Sequence, residues 1–420
     1  MRWPLILACA LVALPVWAAD WDVPLRDGAI AETLNRAAPG DILRLRPGTY
    51  AETVVLDKAV TLDGGGAATL DGGGQGSVVT VIAPDVVVQG LTIVGSGSNH
   101  QNIDSGVQLR KGATGAVVRD NVLLGNLYGV DIHGARDALV IGNRIEGRLD
   151  RRMNDRGNGI YVWNAPGAEV RRNDLRWGRD GIFVNSSKRN VFSGNRFRDL
   201  RFAVHYMYAN QSEVSDNVSI GNDLGFAVMF SKKVKVVGNL SQNDREHGIM
   251  LNYTNHSEIT GNIVIDGKNR CAFLYNANYN LFSDNHFQGC EIGIHFTAGS
   301  QDNQITGNAF VGNRTQVKYI STKWAEWSRQ GRGNYWSDFA AYDVGGDGIA
   351  DTPYRPNDVM DHVLWTQPAA KLLLGSPAVQ LVRWSQAAFP SLLPGGVLDS
   401  FPLMQPMALK RPEFGGVADG

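Results

Sequence analysis

The chain has 420 residues, of which 49 are glycine, and its formal net charge is −1. A length of this order permits two or three domains unless the sequence is a repeat, and abundant glycine is typical of folds with many tight turns. The near-zero charge shows no bias toward a polyanion, so no nucleic-acid partner is predicted.

Residues 1–18 predict an export signal. Arg2 supplies the positive start, Leu5 to Val16 are almost wholly apolar, and Val16-Trp17-Ala18 fits a cleavage site built from small residues. The apolar stretch is too short to span a bilayer comfortably. An uncleaved anchor and a lipoprotein signal at Cys9 are the alternatives to cleavage after residue 18.

A short amphipathic helix is predicted next, over residues 29–38. Ile30, Leu34 and Ala37 lie on one helical face, and Pro39-Gly40 ends the pattern. Several short strand-like runs separated by glycine clusters follow. A lone helix before such strands is typical of a cap that covers the open end of a solenoid.

An asparagine repeat dominates the middle of the chain. Nine asparagines recur in steps of 22 or 23 residues, apart from one step of 30, and they are Asn121, Asn143, Asn173, Asn195, Asn217, Asn239, Asn262, Asn285 and Asn308. Coils of this length with three short strands are typical of a right-handed parallel β-helix, whereas leucine-rich repeats need a leucine signature and a helix that are missing here. We therefore predict an all-β solenoid of this kind over residues 19–320, in which the asparagines stack as an amide ladder.

The period stops after Lys318, so residues 321–420 are predicted to form a non-repetitive C-terminal cap and docking tail. Outside the signal, Cys271 and Cys290 are the remaining cysteines. An exported protein can join such a pair, but their different offsets from the repeating asparagine leave both a disulfide and two separate buried thiols open.

Alternation of period two predicts which side chains of the second strand in each coil face outward. Counting from the small residue at the start of each strand, one outward column contains Gln108, Asp131, Tyr161, Phe183, His205, Met229, Met250, Leu274 and His295. The outward column two residues further on contains Arg110, His133, Trp163, Asn185, Met207, Ser231, Asn252, Asn276 and Thr297.

Methionine and histidine meet in these columns. His205, Met229 and Met250 are expected on three consecutive coils, with Met207 beside the histidine. Thioether and imidazole groups suit copper, especially Cu(I). The candidate metal ligands are therefore His205, Met207, Met229, Met250, His247 and His295. The competing interpretation is that the tail or a loop covers this face and that the methionines are ordinary packing residues.

A second class of function is a protein that binds or modifies polysaccharides, as lyases and epimerases with this fold do. Such chemistry needs two charged groups a few ångströms apart. Asp131, near Tyr161, is the only acid in the predicted columns. A third class is a purely structural adaptor.

The end of the chain carries a family resemblance. Trp327-Ser328, the segment 333–338 (Gly-Asn-Tyr-Trp-Ser-Asp), Asp347-Gly348-Ile349 and the segment 351–356 (Asp-Thr-Pro-Tyr-Arg-Pro) are similar to the region after the repeats in the NosD family. The proline- and leucine-rich stretch from Leu372 to Met407 resembles the tail of the same family. The repeats themselves resemble β-helices of the carbohydrate-binding and sugar-hydrolase type.

The resemblance implies a periplasmic protein associated with the inner membrane through a protein complex. NosD-like proteins work with a membrane-spanning permease subunit and its ATPase, and they help to build the copper–sulfur centre of nitrous oxide reductase. A copper-chaperone lipoprotein is expected to supply the metal. The resemblance supplies no catalytic residues, so the chain is predicted to be an accessory protein that binds Cu(I) transiently, and its tail is expected to contact the membrane partner. No phosphate-binding loop for ATP is present in the sequence.

Overall fold

The chain winds as a parallel β-helix, which confirms the predicted fold. The computed structural model describes residues 18–297, 299–320, 323–357, 363, 367–373, 376–388 and 396–412. All neighbouring strands of the coils pair in parallel, and each strand pairs with the equivalent strand one coil away. The predicted export signal lies outside the described residues except for Ala18.

One face of the β-helix is a twelve-stranded sheet with one strand for each coil. Its strands are Val54–Leu56, Val79–Val81, Ser105–Leu109, Tyr128–His133, Ile160–Trp163, Asp180–Asn185, Phe202–Met207, Leu224–Met229, His247–Asn252, Arg270–Tyr275, Ile292–Thr297 and Thr315–Ile320. All candidate ligands lie on four of the five strands from Phe202–Met207 to Ile292–Thr297, and the strand Arg270–Tyr275 carries none of them.

The two other faces form one connected sheet of 24 strands, joined through the long strands at its beginning. These first strands are Asp20–Val23, Ile42–Leu45, Gly48–Tyr50, Thr61–Asp71 and Val87–Val94. The second face continues with Val117–Arg119, Leu139–Ile141, Glu169–Arg171, Val191–Ser193, Glu213–Ser215, Lys235–Val237, Glu258–Thr260, Leu281–Ser283 and Gln304–Thr306. The third face continues with Val122–Leu124, Arg144–Glu146, Asp174–Arg176, Arg196–Arg198, Val218–Ile220, Leu240–Gln242, Ile263–Ile265, His286–Gln288, Ala309–Val311 and Tyr335–Trp336.

Alternation of side chains builds the core. In the strand Asp180–Asn185, Ile182 and Val184 are fully buried and Phe183 between them is partly exposed, as predicted. Equivalent positions stack along the axis, so each coil adds a layer of aliphatic or aromatic side chains to one continuous core. Each fully buried side chain of this kind contributes about 1.5–3 kcal/mol, which is why the short strands hold together.

The amide ladder is present and extends one coil further than predicted. Side-chain amides of the nine asparagines donate to one another at 2.8–3.0 Å, from Asn121 to Asn308. Asn308 donates in turn to Asn334 at 2.9 Å, and the backbone N–H of Asn334 donates to Asp399 at 2.7 Å. The ladder therefore satisfies buried polar groups along the whole repeat and ends on a carboxylate from the tail.

Non-repetitive elements lie at both ends. The α-helix Ala29–Arg36 packs against the first strands and buries Ile30 and Leu34. At the other end, strand Trp324–Glu326 pairs with Gly396–Leu398. The other helices whose bounds fall within the described residues are the 3₁₀ helices Met153–Asp155 and Pro368–Leu373 and the α-helix Pro377–Ala388. No helix within the described ranges is long and apolar enough to cross a membrane.

Cys271 and Cys290 form a disulfide, with Cα atoms 5.7 Å apart. Both residues are buried. The structure therefore decides between the two arrangements that the sequence left open.

Candidate functional site

The register of the twelve-stranded sheet corrects the predicted outward columns at two strands. His205 pairs with Ala227, and Ala227 pairs with Met250. Met229 therefore lies in the neighbouring column, directly beside Met207. In the strand Arg270–Tyr275, Phe273 faces outward and Leu274 is fully buried.

The error has a physical cause at the corner that starts each strand. The small residue that turns this corner is Gly225 in one strand and Cys271 in another, whereas the predicted alternation starts from Ala227 and Ala272. A Cβ atom at Gly225 would collide with the carbonyl oxygen of Gly248, so glycine is required there. Counting from Ala227 moves the strand by two positions, so Met229 keeps its outward face but changes column. Counting from Ala272 moves the strand by one position, which assigns Leu274 to the wrong face.

Three outward columns result, and they are named by their order along each strand. The leading column contains Asp180, Phe202, Leu224, His247, Arg270 and Ile292. The central column contains Gln108, Asp131, Tyr161, Phe183, His205, Ala227, Met250, Phe273, His295 and Lys318. The trailing column contains His133, Trp163, Asn185, Met207, Met229, Asn252 and Tyr275.

Four of the candidate ligands surround Ala227, and this space is called the Ala227 recess. His205 and Met250 lie on the two adjacent strands, about 4.8 Å to either side of Ala227 along the axis. Met229 lies two residues further on the same strand, and Met207 lies beside Met229. Ala227 faces outward but is 0% exposed, so the longer side chains around it close over its methyl group.

His205 is held in a defined orientation. Its Nδ1 lies 3.1 Å from Oδ2 of Asp180, and the same carboxylate accepts hydrogen bonds from Arg201 at 2.8 Å. The ring stacks between Phe183 and Phe202, with centroid distances of 4.8 and 4.4 Å. Because a carboxylate accepts, Nδ1 is the donor and the lone pair of Nε2 remains available, an arrangement common to metal-binding histidines.

The charge of Asp180 is stabilised although its side chain is 0% exposed. Burial raises its pKa, but hydrogen bonds from His205 and Arg201 outweigh burial and hold the pKa below its usual value. Asp180 thus remains an ionised acceptor that orients the imidazole.

Nε2 of His247 has no hydrogen-bond partner among the residues that the structure describes. Its Nδ1 lies 2.5 Å from the backbone carbonyl oxygen of Glu246, so Nδ1 donates. Burial, followed by the charge of Arg270, lowers the pKa of His247 to about 4. The ring is therefore neutral near pH 7, which is the state that binds a metal.

His295 has the opposite tautomer. Nε of Arg270 donates to its Nδ1 at 2.9 Å, so the hydrogen of the neutral ring lies on Nε2. Burial, followed by the charges of Arg270 and Lys318, lowers the pKa of His295 to about 3. Phe273 separates His295 from His247, with ring centroids 5.0 and 5.1 Å away. The structure thus places His295 away from the Ala227 recess, with no lone pair directed outward.

Sequence reasoning missed Ala227, Asp180 and Arg270. An alanine among larger outward residues is a detectable signal once the phase of its strand is known. Asp180 and Arg270 occupy the leading column, which lies before the small residue at which the predicted alternation begins. Within the described ranges no group of three or more His, Cys, Asp or Glu side chains could hold a metal ion.

The acid expected for polysaccharide chemistry is not accessible. Asp131 is 0% exposed, its Oδ2 accepts from Gln108 at 3.1 Å, and its Oδ1 has no partner within the described part of the chain. Burial raises its pKa to about 7. His133, with Nδ1 3.9 Å away, stacks on Trp163. A polymer lying along this face would not reach the Asp131 carboxyl group.

Known proteins resemble this chain in sequence and in fold. A family model described as "Periplasmic copper-binding protein (NosD)" matches residues 141–341. A protein of Stutzerimonas stutzeri named "Probable ABC transporter binding protein NosD" is 42% identical over 376 residues, which is 86% of each chain. A protein of the same name from Pseudomonas aeruginosa is 41% identical over 401 residues, 90% of this chain and 94% of its own. The A-module of the mannuronan C-5 epimerase AlgE6 of Azotobacter vinelandii superposes with a TM-score of 0.48 at 14% identity, covering 72% of this chain and all of that module.

Proposed function

This chain belongs to the NosD family, and we propose that it binds Cu(I) transiently in the Ala227 recess and passes it on during assembly of the copper site of nitrous oxide reductase. It acts as an accessory protein in the periplasm and not as an enzyme. The relatives are named as binding proteins of an ABC transporter. By that kinship, its membrane partner is a permease subunit with its ATPase.

The observation that carries the proposal is the composition of the Ala227 recess. Met207, Met229, Met250 and His205 occupy register positions next to Ala227, whose own side chain is only a methyl group, and the contact of Nδ1 with Asp180 leaves Nε2 of His205 available. Soft thioether and imidazole ligands favour Cu(I) over harder cations. Methionine side chains are also flexible, so they can follow a metal as it leaves.

His247 is the additional ligand in this proposal. It lies on the same strand as Met250, beside Leu224 of the strand that carries Ala227, and its Nδ1 rather than its Nε2 makes the hydrogen bond to Glu246. His295 is left out, because its outward nitrogen carries the hydrogen. An open and incomplete ligand set releases a metal more easily than a closed site does. A copper-chaperone lipoprotein would deliver the ion, and nitrous oxide reductase would receive it.

Titration of the purified chain with Cu(I) against a competing chromogenic chelator examines this function. Replacing Met207 and Met229 by leucine removes two thioethers and keeps apolar packing, and we expect the affinity to fall at least about 10-fold. Ala227→Leu keeps every ligand but fills the recess, and should weaken binding similarly. Met153→Leu, in the loop helix Met153–Asp155, is the matched control and should bind as the unaltered chain does.

The histidines give an internal comparison. His205→Gln should lower the affinity, whereas His295→Gln should leave it unchanged. The proposed site would be contradicted if Cu(I) bound equally tightly to the unaltered chain, to the Met207→Leu/Met229→Leu chain and to the Ala227→Leu chain. Turnover of a uronate polymer by the purified chain would contradict the accessory role and favour a lyase or epimerase.

A further inference from the structure

Beside the Ala227 recess, three aromatic residues form an exposed stack that is called the aromatic ladder. Tyr208, Phe230 and Tyr253 each follow the last residue of a strand in the twelve-stranded sheet, and Tyr208 and Phe230 directly follow Met207 and Met229. Their side chains are 50%, 39% and 45% exposed. Their ring centroids lie 5.1 and 5.2 Å apart, with nearly parallel planes.

The backbone of this turn does not favour aromatic residues. Tyr208, Phe230 and Tyr253 have φ values of 51°, 49° and 48°, in the left-handed region. That region costs a bulky residue about 1–2 kcal/mol, while asparagine tolerates it well. The same turn position is held by Asn164 and Ser186 on the coils before the ladder and by Asn276 on the coil after it.

The aromatic ladder therefore departs from the asparagine that the left-handed backbone of this turn favours. Core packing does not explain the three aromatic residues, because their rings face solvent. It is confined to the coils that carry Met207, Met229 and Met250. A group of exposed apolar side chains beside a site is typical of a surface that another molecule covers.

Positive charge borders the aromatic ladder, with Lys232 and Lys233 in the turn of Phe230 and Lys188 and Arg189 in the equivalent turn one coil before Tyr208. Lys188, Arg189, Lys232 and Lys233 are exposed, and none of them forms an ion pair with any residue that the structure describes. These four residues are called the cation band. Two acids on the strands that follow these turns have other partners: Glu258 lies 4.0 Å from Lys235, and Glu213 accepts a hydrogen bond from Ser215.

We propose that the aromatic ladder and the cation band form a docking surface for a protein whose own surface carries carboxylates around apolar side chains. Docking there places that protein against Met207 and Met229, so the partner is the one that exchanges copper at the Ala227 recess. The assignment to a copper-exchanging partner rests on the proposed function, whereas the assignment of a docking surface rests on the exposure, backbone strain and charge of these residues.

The arrangement of the rings favours a protein over an acidic polysaccharide. Sugars stack on the faces of aromatic rings, but the ladder rings cover one another's faces and present mainly their edges. Edges and the gaps beside them suit apolar side chains, and unpaired lysines suit carboxylates.

Binding measurements with two purified proteins test the inference: the copper-chaperone lipoprotein without its lipid, and nitrous oxide reductase. One variant replaces Tyr208, Phe230 and Tyr253 by asparagine, the residue that neighbouring turns carry. A second variant combines Lys232→Glu with Lys233→Glu. The matched charge control is Lys111→Glu with Lys268→Glu, which changes two exposed lysines elsewhere.

We expect at least one of the two proteins to bind the unaltered chain, and both variants to weaken this binding about 10-fold or more. The control should bind normally, and added salt should weaken the interaction of the unaltered chain. Cu(I) affinity should stay unchanged in both variants, which separates loss of docking from loss of the metal site.

Three results would overturn the proposal: unchanged binding by both variants, no binding of either protein to the unaltered chain, or alginate binding that the asparagine variant abolishes. The exposed lysine changes keep the experiment decisive if the aromatic variant fails to fold.

Discussion

Asp244 offers a quantitative check of the interior of the solenoid. It lies inside the β-helix, 0% exposed, where its Oδ1 accepts the backbone N–H of Asn222 at 2.8 Å. Its Oδ2 accepts hydrogen bonds from Ser219 and Ser241 at 2.7 and 2.6 Å. Burial nevertheless raises the pKa of Asp244 to about 6, from an ordinary value of 3.8. The substitution that removes this charge is Asp244→Asn.

The sign and size of the effect follow from linkage. Below the pKa of about 3.8 that Asp244 has in the unfolded state, the carboxyl group is protonated in both states, so folding buries no charge there. Between about pH 4 and pH 6 the unfolded state loses its proton while the folded state keeps it, so stability falls as the pH rises; above about pH 6 both states are ionised and the decrease stops. A difference of about 2 pKa units corresponds to about 3 kcal/mol. The chain should therefore lose about this much unfolding free energy, relative to an uncharged residue, between about pH 4 and pH 7.

Asparagine does not titrate, so Asp244→Asn should remove this part of the pH dependence. Urea unfolding of both chains, followed by circular dichroism at several pH values, gives the difference in unfolding free energy. We expect the difference to shift in favour of the variant by about 3 kcal/mol from about pH 4 to pH 7. Asp150→Asn, in the exposed loop, is the control. A difference that stays constant with pH would refute the inference that a buried carboxyl group with a raised pKa lies at this position.

Three further predictions concern other parts of the structure. Burial and Arg270 lower the pKa of His247 to about 4. The ratio of Cu(I) affinities between the unaltered chain and His247→Gln should therefore stay constant from about pH 8 to pH 5. Below about pH 4 the ratio should approach one, because protonation removes the lone pair of His247. Asn217→Ala should lower the unfolding free energy by about 2–4 kcal/mol, since it orphans ladder partners at 2.9–3.0 Å, while Asn154→Ala in the exposed loop should have little effect in the same urea experiment. Replacing Cys271 and Cys290 by serine should cost about 3 kcal/mol for a separation of 19 residues, and the unaltered chain under reducing conditions should then match the variant.

Much of the fold was accessible from the sequence because a repeat states its architecture many times over. The recurring asparagine fixed the coil length, the three-sided winding and the amide ladder, and each coil repeated the same information. The neighbourhood of His205 and Met207 was also predictable, because the small residue before His205 does lie at the corner of its strand.

The candidate site was less accessible. Its composition could be predicted, but the position of Met229 could not, because two small residues, Gly225 and Ala227, compete for the corner and only one fits against Gly248. A choice between them moves every following side chain by two positions, which keeps its face but assigns it to the neighbouring column. Ala227 as the floor of the recess emerges only from the correct register.

The periodic sequence by itself determined the β-helix and the stacked asparagines, since local hydrophobic alternation and one polar residue per coil suffice to specify a structure in which every coil contacts only its neighbours. Tertiary structure alone decided the phase of individual strands, the disulfide and the histidine nitrogens that remain free. The reason is physical: Asp180 and His205, or Arg270 and His295, are 25 residues apart in the chain, and hydrogen bonds between adjacent coils, which no single coil encodes, set the direction of each lone pair.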